Sequence, residues 1–472
     1  MTGKDETAEK RSGKSVHHEP DIDAGIFKAY DVRGLCPKQL DERAAYSIGR
    51  GYAQSGVSAV GNAIVVGRDM RHGSGTLSEA FVAGANAGGL DVIDIGLCTT
   101  PMLYFAVNEL CAAGGAMVTA SHNPAAYNGF KFVREGAIPI AMGSGLEAIQ
   151  REALKPSQGN SPRRGTTRRE DVLDRYVGFF TARFSPAYEG LVIIDAGNGA
   201  VGSVLPHVLQ GQRIEHKDLF FEPDGRFPNH EANPMKSENL RQLRDAMANV
   251  PGSLGVAFDG DGDRVCFLDE AGAVVRGDLL TAFLAPWLLK RNAGGKILYD
   301  LRSSRVVPDV IREHGGEPIK TRVGHAFIKH IMREQRALFG GELSYHFYYR
   351  DFFNCESGIY AMLHVLQVLA ESGKGLSDAM APLHRYAHSG EINFAVPDVE
   401  QAVQAVEQAF PDGVVCHLDG LSVDYADWWF NLRPSNTEPL LRLNLEAATE
   451  ELMQDKLGLV GRLLEGSPGR EL

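Results

Sequence analysis

Short apolar runs alternate with amphipathic stretches along most of the chain. Segments 62–69 (NAIVVGRD), 89–96 (GLDVIDIG) and 115–122 (GAMVTASH) are apolar and end in turn or polar residues, the pattern of buried strands. Between the first two, segment 74–89 (SGTLSEAFVAGANAGG) has helical spacing, a serine at its start and glycines at its end. The strand–helix–strand order predicts α/β layers. Strands at 191–196 (LVIIDA) and 253–260 (SLGVAFDG) mark a second such unit. A third begins near 273, with a helix over 277–292, a strand over 296–301 and a helix over 305–316. From about 386 the pattern changes. EINFAV, GVVCHLDG, LSVDYADWWFNLRPSN and LLRLNLEA read as strands beside a helical 398–410, which predicts a smaller α+β domain.

A chain of 472 residues exceeds one ordinary core and predicts three or four domains. Residues 155–170 (KPSQGNSPRRGTTRRE) are rich in Pro, Ser, Gly and Arg, the composition of a linker or exposed connection. Residues 1–20 are polar, lack the apolar stretch of a signal peptide and predict a disordered tail. The net charge of −12 argues against nucleic acid or an anionic membrane as the main partner. An anionic substrate would need local basic residues to hold it against that field. No apolar run reaches the ~18 residues of a membrane span. The six cysteines are scattered without a CxxC pair, as expected of reduced thiols in a cytoplasmic protein.

The strongest chemical signal is DGDGDR, 259–264. Asp259, Asp261 and Asp263 alternate after an apolar strand, and carboxylates so crowded repel one another unless a cation neutralises them. All-oxygen ligands suit a hard ion such as Mg²⁺. A calcium loop is a rival, because Glu270 falls at its twelfth position, but Arg264 stands at the sixth, where glycine is needed. A solvated acidic turn is the plain alternative. GNGAVG, 197–202, fits a dinucleotide-binding turn with Asp218 or Glu222 as the ribose acid, although Asp195 puts a negative charge where a pyrophosphate would lie. One such fingerprint is weak evidence, and a plain tight strand-to-helix turn is the preferred reading.

Ser121 and His122 lie in TASHNP, 119–124, a setting shared by nucleophilic serines and ordinary turns. In GGELSYHF, 340–347, Glu342, Ser344 and His346 alternate, so on an extended segment they point the same way, which suits sugar hydroxyls. RPSNTEP, 433–439, brings Arg433, Ser435, Asn436 and Thr437 together after an apolar strand, a set able to clamp phosphate or simply to close a polar turn. TRVGHAFIKH (321–330) offers Arg322 and His325, and further basic candidates are Arg33, Lys131 and Arg302.

Together these segments resemble the α-D-phosphohexomutase superfamily, and within it most of all the bacterial phosphomannomutase/phosphoglucomutase group. The resemblance runs from FKAYDVRG to RPSNTEP in the family's order, through TASHNP, NGFK, DAGNGA, DGDGDRV and GELS. It implies an α/β fold of four domains around a central cleft: three similar α/β domains with mixed sheets and a smaller C-terminal α+β domain. With the pattern breaks above, the expected domains are 21–168, 169–272, 273–385 and 386–472. It implies interconversion of hexose 1-phosphate and hexose 6-phosphate, of mannose or glucose, through a phosphoserine, Mg²⁺ and a hexose 1,6-bisphosphate that serves as intermediate and activator. Phosphoglucosamine mutase is the alternative within the family, and a phosphosugar hydrolase lies further off. By resemblance Ser121 would carry the phosphate and hold Mg²⁺ with Asp259, Asp261 and Asp263. His122, Lys131, Arg33, Arg264 and His325 would serve phosphoryl charge and proton transfer. Tyr30, Arg302, Arg322, Gly324, Glu342, Ser344 and His346 would bind substrate, and Arg433, Ser435, Asn436 and Thr437 would clamp the distal phosphate. One departure stands out. The group's sugar loop usually reads like GEMSGH, but Tyr345 stands here in place of its glycine. Strand alternation turns Tyr345 away from Ser344 and His346 and predicts packing behind the loop; a ring lining the cleft wall is the other reading.

Overall fold

The computed structural model describes residues 22–58, 63–156, 161, 163–434 and 440–465. Ser435, Asn436, Thr437 and the tail expected over 1–20 lie outside the described residues. The first sheet holds β1 (Val32–Leu35), β2 (Ala63–Arg68), β3 (Asp91–Leu97), β4 (Gly114–Val118), β5 (Tyr127–Arg134), β6 (Ile138–Ile140) and β7 (Thr167–Arg169), in the order β1-β5-β4-β2-β3-β7 with β6 on β5. Strand β2 is parallel to both β3 and β4, whereas β5 runs antiparallel to β4. Thus part of the expected connection over 155–170 forms an exposed edge strand, β7, parallel to β3.

The second sheet, β12-β11-β10-β8-β9, is built from β8 (Ala187–Asp195), β9 (Arg213–Leu219), β10 (Leu254–Phe258), β11 (Val265–Leu268) and β12 (Val274–Val275). The third, β14-β13-β15-β16-β17, is built from β13 (Lys296–Asp300), β14 (Glu317–Thr321), β15 (Phe339–Gly341), β16 (Phe347–Tyr349) and β17 (Cys355–Glu356). Each repeats one device of the first sheet. A buried parallel strand ends, the chain turns, and the next strand returns antiparallel to it: β4 to β5, β10 to β11, β15 to β16. The three turns hold residues 119–126, 259–264 and 342–346, so the three similar domains offer their polar motifs at one topological place, the carboxyl end of a parallel strand.

A fourth sheet, wholly antiparallel, comprises β18 (Ala387–Ala395), β19 (Val414–Cys416), β20 (Leu421–Asp424), β21 (Trp428–Pro434) and β22 (Leu440–Ala447) in the order β18-β22-β21-β20-β19. Helices Val399–Ala409 and Glu450–Glu465 pair with it. The chain is therefore α/β overall, with three mixed-sheet domains and a C-terminal antiparallel one. Apolar packing divides them unevenly. One buried cluster runs from Val65 and Met102 through Val192 and Phe258 to Leu280 and Leu363, across all three α/β domains, while the C-terminal sheet has a core of its own around Phe430 and Leu443. No helix among the described residues is long and apolar enough to cross a membrane.

Candidate active site

Ser121 sits at the first of the three turns. Its backbone is left-handed, with φ +50°, and its side chain is 2% exposed. Its Oγ donates to Asp259 Oδ2 at 3.0 Å and lies 3.2 Å from His122 Nδ1. The approach is close because residue 260 is glycine: a Cβ there would stand 2.5 Å from the Ser121 carbonyl oxygen. The sequence DGDGDR thus spaces its carboxylates with glycines that let the two domains' backbones meet.

Asp259, Asp261 and Asp263 are all buried, and each offers an oxygen within 4.8 Å of the others. Crowding shows in their protonation. Burial, then Asp263 and Asp261, push the Asp259 carboxyl well above the usual carboxylate range. Asp263 is held well below that range: burial raises it, but Lys131 and His346 outweigh burial. Lys131 Nζ reaches Asp261 Oδ2 at 2.7 Å and Asp263 Oδ2 at 2.5 Å. Burial alone would lower its pKa; the two carboxylates more than reverse this and fix the ammonium form. Among the described residues Asp261 Oδ1 is buried without a hydrogen-bond donor, while Asp263 Oδ1 faces the His346 Nε2 at 3.4 Å. Three carboxylates with one such unsatisfied oxygen and a neighbouring serine oxygen fit a hard cation. Glu270 serves elsewhere, accepting from the backbone N–H groups of Leu376 and Ser377, which removes the calcium-loop reading.

The turn 342–346 is a hairpin end and not the extended segment its alternation suggests. Glu342 N donates to His346 O at 3.0 Å, Tyr345 N donates to Glu342 O at 3.1 Å, and Tyr345 has φ +70°. The polar groups still converge, because the turn folds them together. His346 Nδ1 lies 3.0 Å from Glu342 Oε2 and 3.3 Å from Ser344 Oγ, and its Nε2 lies 3.4 Å from Asp263 Oδ1. Burial and Arg264 disfavour the imidazolium, but Asp263 and Glu342 prevail and raise the His346 pKa to about 9. Glu342 would be raised by burial, yet His346, Arg302 and the Tyr348 hydroxyl lower it to about 2. Tyr345 points away, is buried, and packs against Gly277 of the helix Gly277–Arg291 with its hydroxyl on Cys266.

His325 opens the helix His325–Gln335, and Gly324 before it has φ +127°. The Tyr30 ring meets the His325 ring edge-on at 5.5 Å, and a Cβ on Gly324 would stand 2.8 Å from the Tyr30 hydroxyl. Burial, then Lys329 and Lys131, keep the His325 pKa well below that of free imidazole, and its buried Nδ1 has no hydrogen-bond partner among the described residues. Arg322 lies over the Phe327 ring at 4.0 Å. Arg33 holds Asn123 Oδ1 at 2.5 Å and pairs with Asp31. Arg264 lies 3.8 Å from Asp259 Oδ2 and 3.2 Å from His346 Nε2. Arg302 pairs with Asp300 at 2.8 Å, and Arg433 reaches Glu391 at 3.3 Å. Direct contacts join Ser121, His122, Lys131, Arg264, Glu342, Ser344, His346 and the aspartates into one network across three domains. Arg433 comes from the fourth.

Profiles for phosphoglucomutase/phosphomannomutase alpha/beta/alpha domains I, II and III match residues 24–158, 174–272 and 276–386, and that family's C-terminal domain matches 391–456. The chain belongs to the phosphoglucomutase/phosphomannomutase family. A phosphomannomutase of Methanocaldococcus jannaschii is 38% identical over 94% of this chain and 98% of its own. A protein of Xanthomonas campestris described as phosphohexose mutases is 39% identical over 93% of this chain and 99% of its own. The crystal structure of a phosphoglucomutase/phosphomannomutase family protein from Burkholderia thailandensis superposes with a TM-score of 0.87 at 32% identity, covering 96% and 99% of the two chains.

In this family member the GNGAVG turn faces protein. Asp195 accepts from Gly197 N at 2.8 Å and meets His230 Nε2 at 2.9 Å. A Cβ on Gly199 would stand 2.9 Å from Gly260 O, and Ala200 N donates to that same oxygen. The turn therefore braces the aspartate loop, and Asp218 and Glu222 lie exposed beyond it. The sequence reading passed over Thr100, whose hydroxyl donates to Asp261 Oδ2 at 2.5 Å, and Lys329, Glu356, Asp300, Glu391 and Arg71. Apart from Asp300, whose ion-pair partner Arg302 is two residues away, these groups have contacts with residues far away along the chain.

Proposed function

We propose that this hexose phosphate mutase works through Ser121 as a phosphoserine, passing one phosphoryl group between the 1- and 6-positions of mannose or glucose. The observation that carries this reading is the Ser121 hydroxyl, 3.0 Å from Asp259 in a buried carboxylate triad that Lys131 joins. Asp259, Asp261, Asp263 and an oxygen of the phosphorylated Ser121 would hold Mg²⁺, which supplies positive charge against the transferring phosphoryl group. In the first half-reaction the free hydroxyl of the hexose phosphate attacks phosphorus. The sugar O–P bond forms, the P–Oγ bond breaks, and Ser121 Oγ takes the electron pair. His325, kept neutral by burial and by Lys329 and Lys131, would take the hydroxyl proton. Lys131 stays cationic and offsets charge on the transferring group.

Hexose 1,6-bisphosphate then turns over in the cleft, and Ser121 attacks its other phosphate to regenerate phosphoserine and release the isomeric monophosphate. Glu342, Ser344 and His346 supply hydrogen bonds to the sugar in either orientation, with Tyr30, Arg302, Arg322 and Gly324 around them. Arg433, with Ser435, Asn436 and Thr437, takes the phosphate not in transfer. Arg33, His122 and Arg264 flank the transfer site. Hexose 1,6-bisphosphate, added from outside, rephosphorylates enzyme that has lost its phosphate. Six free thiols and the absence of disulfides among the described residues fit a cytoplasmic setting.

Phosphopeptide mapping after incubation with glucose 1,6-bisphosphate should place the phosphate on Ser121; a label on Asp259 would sink this mechanism in favour of an aspartyl-phosphate hydrolase. Ser121→Ala should lower turnover by orders of magnitude without moving Tm. EDTA should abolish turnover and Mg²⁺ restore it, and full activity in metal-free buffer would contradict the aspartate assignment.

A further inference from the structure

We infer that Arg71 is a positioning residue for the phosphoryl-carrying serine, and that the second domain locks it in place. The inference rests on Ser121 being the phosphoserine. The Arg71 side chain is fully enclosed, as is that of its partner Asp69, whose Oδ2 lies 3.3 Å from Arg71 Nε. Its two terminal nitrogens are spent on the serine loop alone. Nη2 donates to the carbonyls of Ser121 at 2.6 Å and Asn123 at 2.5 Å, and Nη1 donates to those of Pro124 at 2.9 Å and Tyr127 at 3.1 Å. Four carbonyl oxygens turned inward on one point repel one another unless a planar, multi-donor cation gathers them. Gathering them curls the loop, and the curl is what holds Ser121 at φ +50°, a left-handed conformation serine seldom adopts. That backbone in turn aims Oγ at Asp259.

The clamp is closed from behind by another domain. Gly225 is buried against it, and a Cβ there would stand 2.6 Å from Arg71 Cα and 2.7 Å from both His72 N and Met70 O. The Phe227 ring lies 4.9 Å from the guanidinium carbon, on a backbone that is itself left-handed at φ +50°. The serine loop and the aspartate loop are thus set relative to each other twice: once at the reacting oxygen, and once through Arg71, Gly225 and Phe227 on the far side. Arg71 meets Asp69, the Phe227 ring and backbone carbonyls of the serine loop, so its effect belongs to the alignment of Ser121 and not to sugar binding.

Arg71→Lys keeps the charge but loses the fork, and Gly225→Ala pushes the second domain's loop off the clamp while touching neither Ser121 nor the aspartates. Both variants and the wild type would be assayed with glucose 1-phosphate and glucose 1,6-bisphosphate. The fraction of folded protein phosphorylated on Ser121, and the rate of that phosphorylation, would be followed by phosphopeptide mass spectrometry. Arg71→Lys should lower kcat and the phosphorylation rate together by about 100-fold, with KM within a few-fold of wild type, as expected for misplacement of a reacting atom by about 1 Å. Gly225→Ala should lower both by about tenfold at unchanged KM. In Arg71→Ala, added guanidinium should restore part of the rate. A wild-type phosphorylation rate in folded Arg71→Lys would overturn the inference while leaving the mechanism intact, as would a parallel rise in KM. Phosphate mapped to another residue in the wild type would overturn the mechanism and this inference together.

Discussion

Tyr345 occupies a left-handed backbone, φ +70°, at the position where the family's sugar loop commonly has glycine. The hairpin places the larger residue in a conformation that favours glycine, at a strain of about 1–3 kcal/mol. Burial explains why. The ring is 8% exposed, packs on Gly277 and sets its hydroxyl on the Cys266 thiol, which burial pushes up to about 12. Deleting such a ring costs about 3–5 kcal/mol in lost packing, more than the strain relieved. Tyr345→Gly should therefore lower Tm, while the ratio of kcat/KM for mannose 1-phosphate and glucose 1-phosphate stays as it is. A changed ratio would place the ring on the sugar and refute the packing role. The outward turn of Tyr345 was legible from alternation, but its backbone was not, because alternation assumes a strand and the segment is a turn. Arg71 was less legible still: its hydrogen-bond acceptors in the serine loop lie 50 to 56 residues away and are carbonyls, which any sequence supplies.

Among the elements, the helix His325–Gln335 shows how the side chain proposed as the base is held from below. Lys329, one turn after His325, is wholly buried and pairs with Glu356 of β17 at 2.8 Å. Its ammonium lies 4.1 Å from the Tyr104 ring, and the Tyr104 hydroxyl donates to Glu356 at 3.2 Å. Tyr104 belongs to the first domain, so this buried pair pins the third domain's helix onto the first. Arg333 on the same helix adds hydrogen bonds to Gly136 O at 2.8 Å and Phe353 O at 2.8 Å. Removing one member of a buried ion pair strands the other charge and costs about 3–5 kcal/mol. Glu356→Gln should lower Tm accordingly, and Glu356→Gln with Lys329→Met should recover most of the loss. Equal Tm values for the single and double variants would show that Lys329 does not depend on Glu356. The helix periodicities and the three strand–turn–strand units were legible because each is local, and so were the motifs at their turns. That the turns face one another was not in any periodicity; it follows from one apolar cluster shared by three domains.

At the scale of the whole molecule, an acidic chain of net charge −12 must hold a sugar phosphate, and in the proposed mechanism a bisphosphate. Under that proposal the fourth domain answers this locally. Its core is separate from that of the other three, and polar contacts join it to the third domain, with Arg305 donating to Ala426 O and Trp428 O and Val323 N donating to Asp419. Arg302 of the third domain and Arg433 and Arg442 of the fourth all gather on one carboxylate, Glu391, at 3.8, 3.3 and 3.1 Å. Arg302 is balanced by Asp300, so Arg433 and Arg442 share Glu391, and the buried Arg433 Nε has no hydrogen-bond acceptor among the described residues. In the proposed mechanism a phosphate oxygen would supply one. The stretch 435–437 that would complete this clamp was legible in the sequence as a clamp or a turn and lies outside the described residues. Removing Arg433 leaves Glu391 two other arginines, so the domain should keep its fold. What is lost is a charge-assisted contact worth about 1.5–3 kcal/mol, or roughly 10- to 150-fold in binding. Arg433→Ala should therefore raise KM by that factor and change kcat far less, the opposite of the split expected for Arg71→Lys. An unchanged KM would remove Arg433 from the distal phosphate.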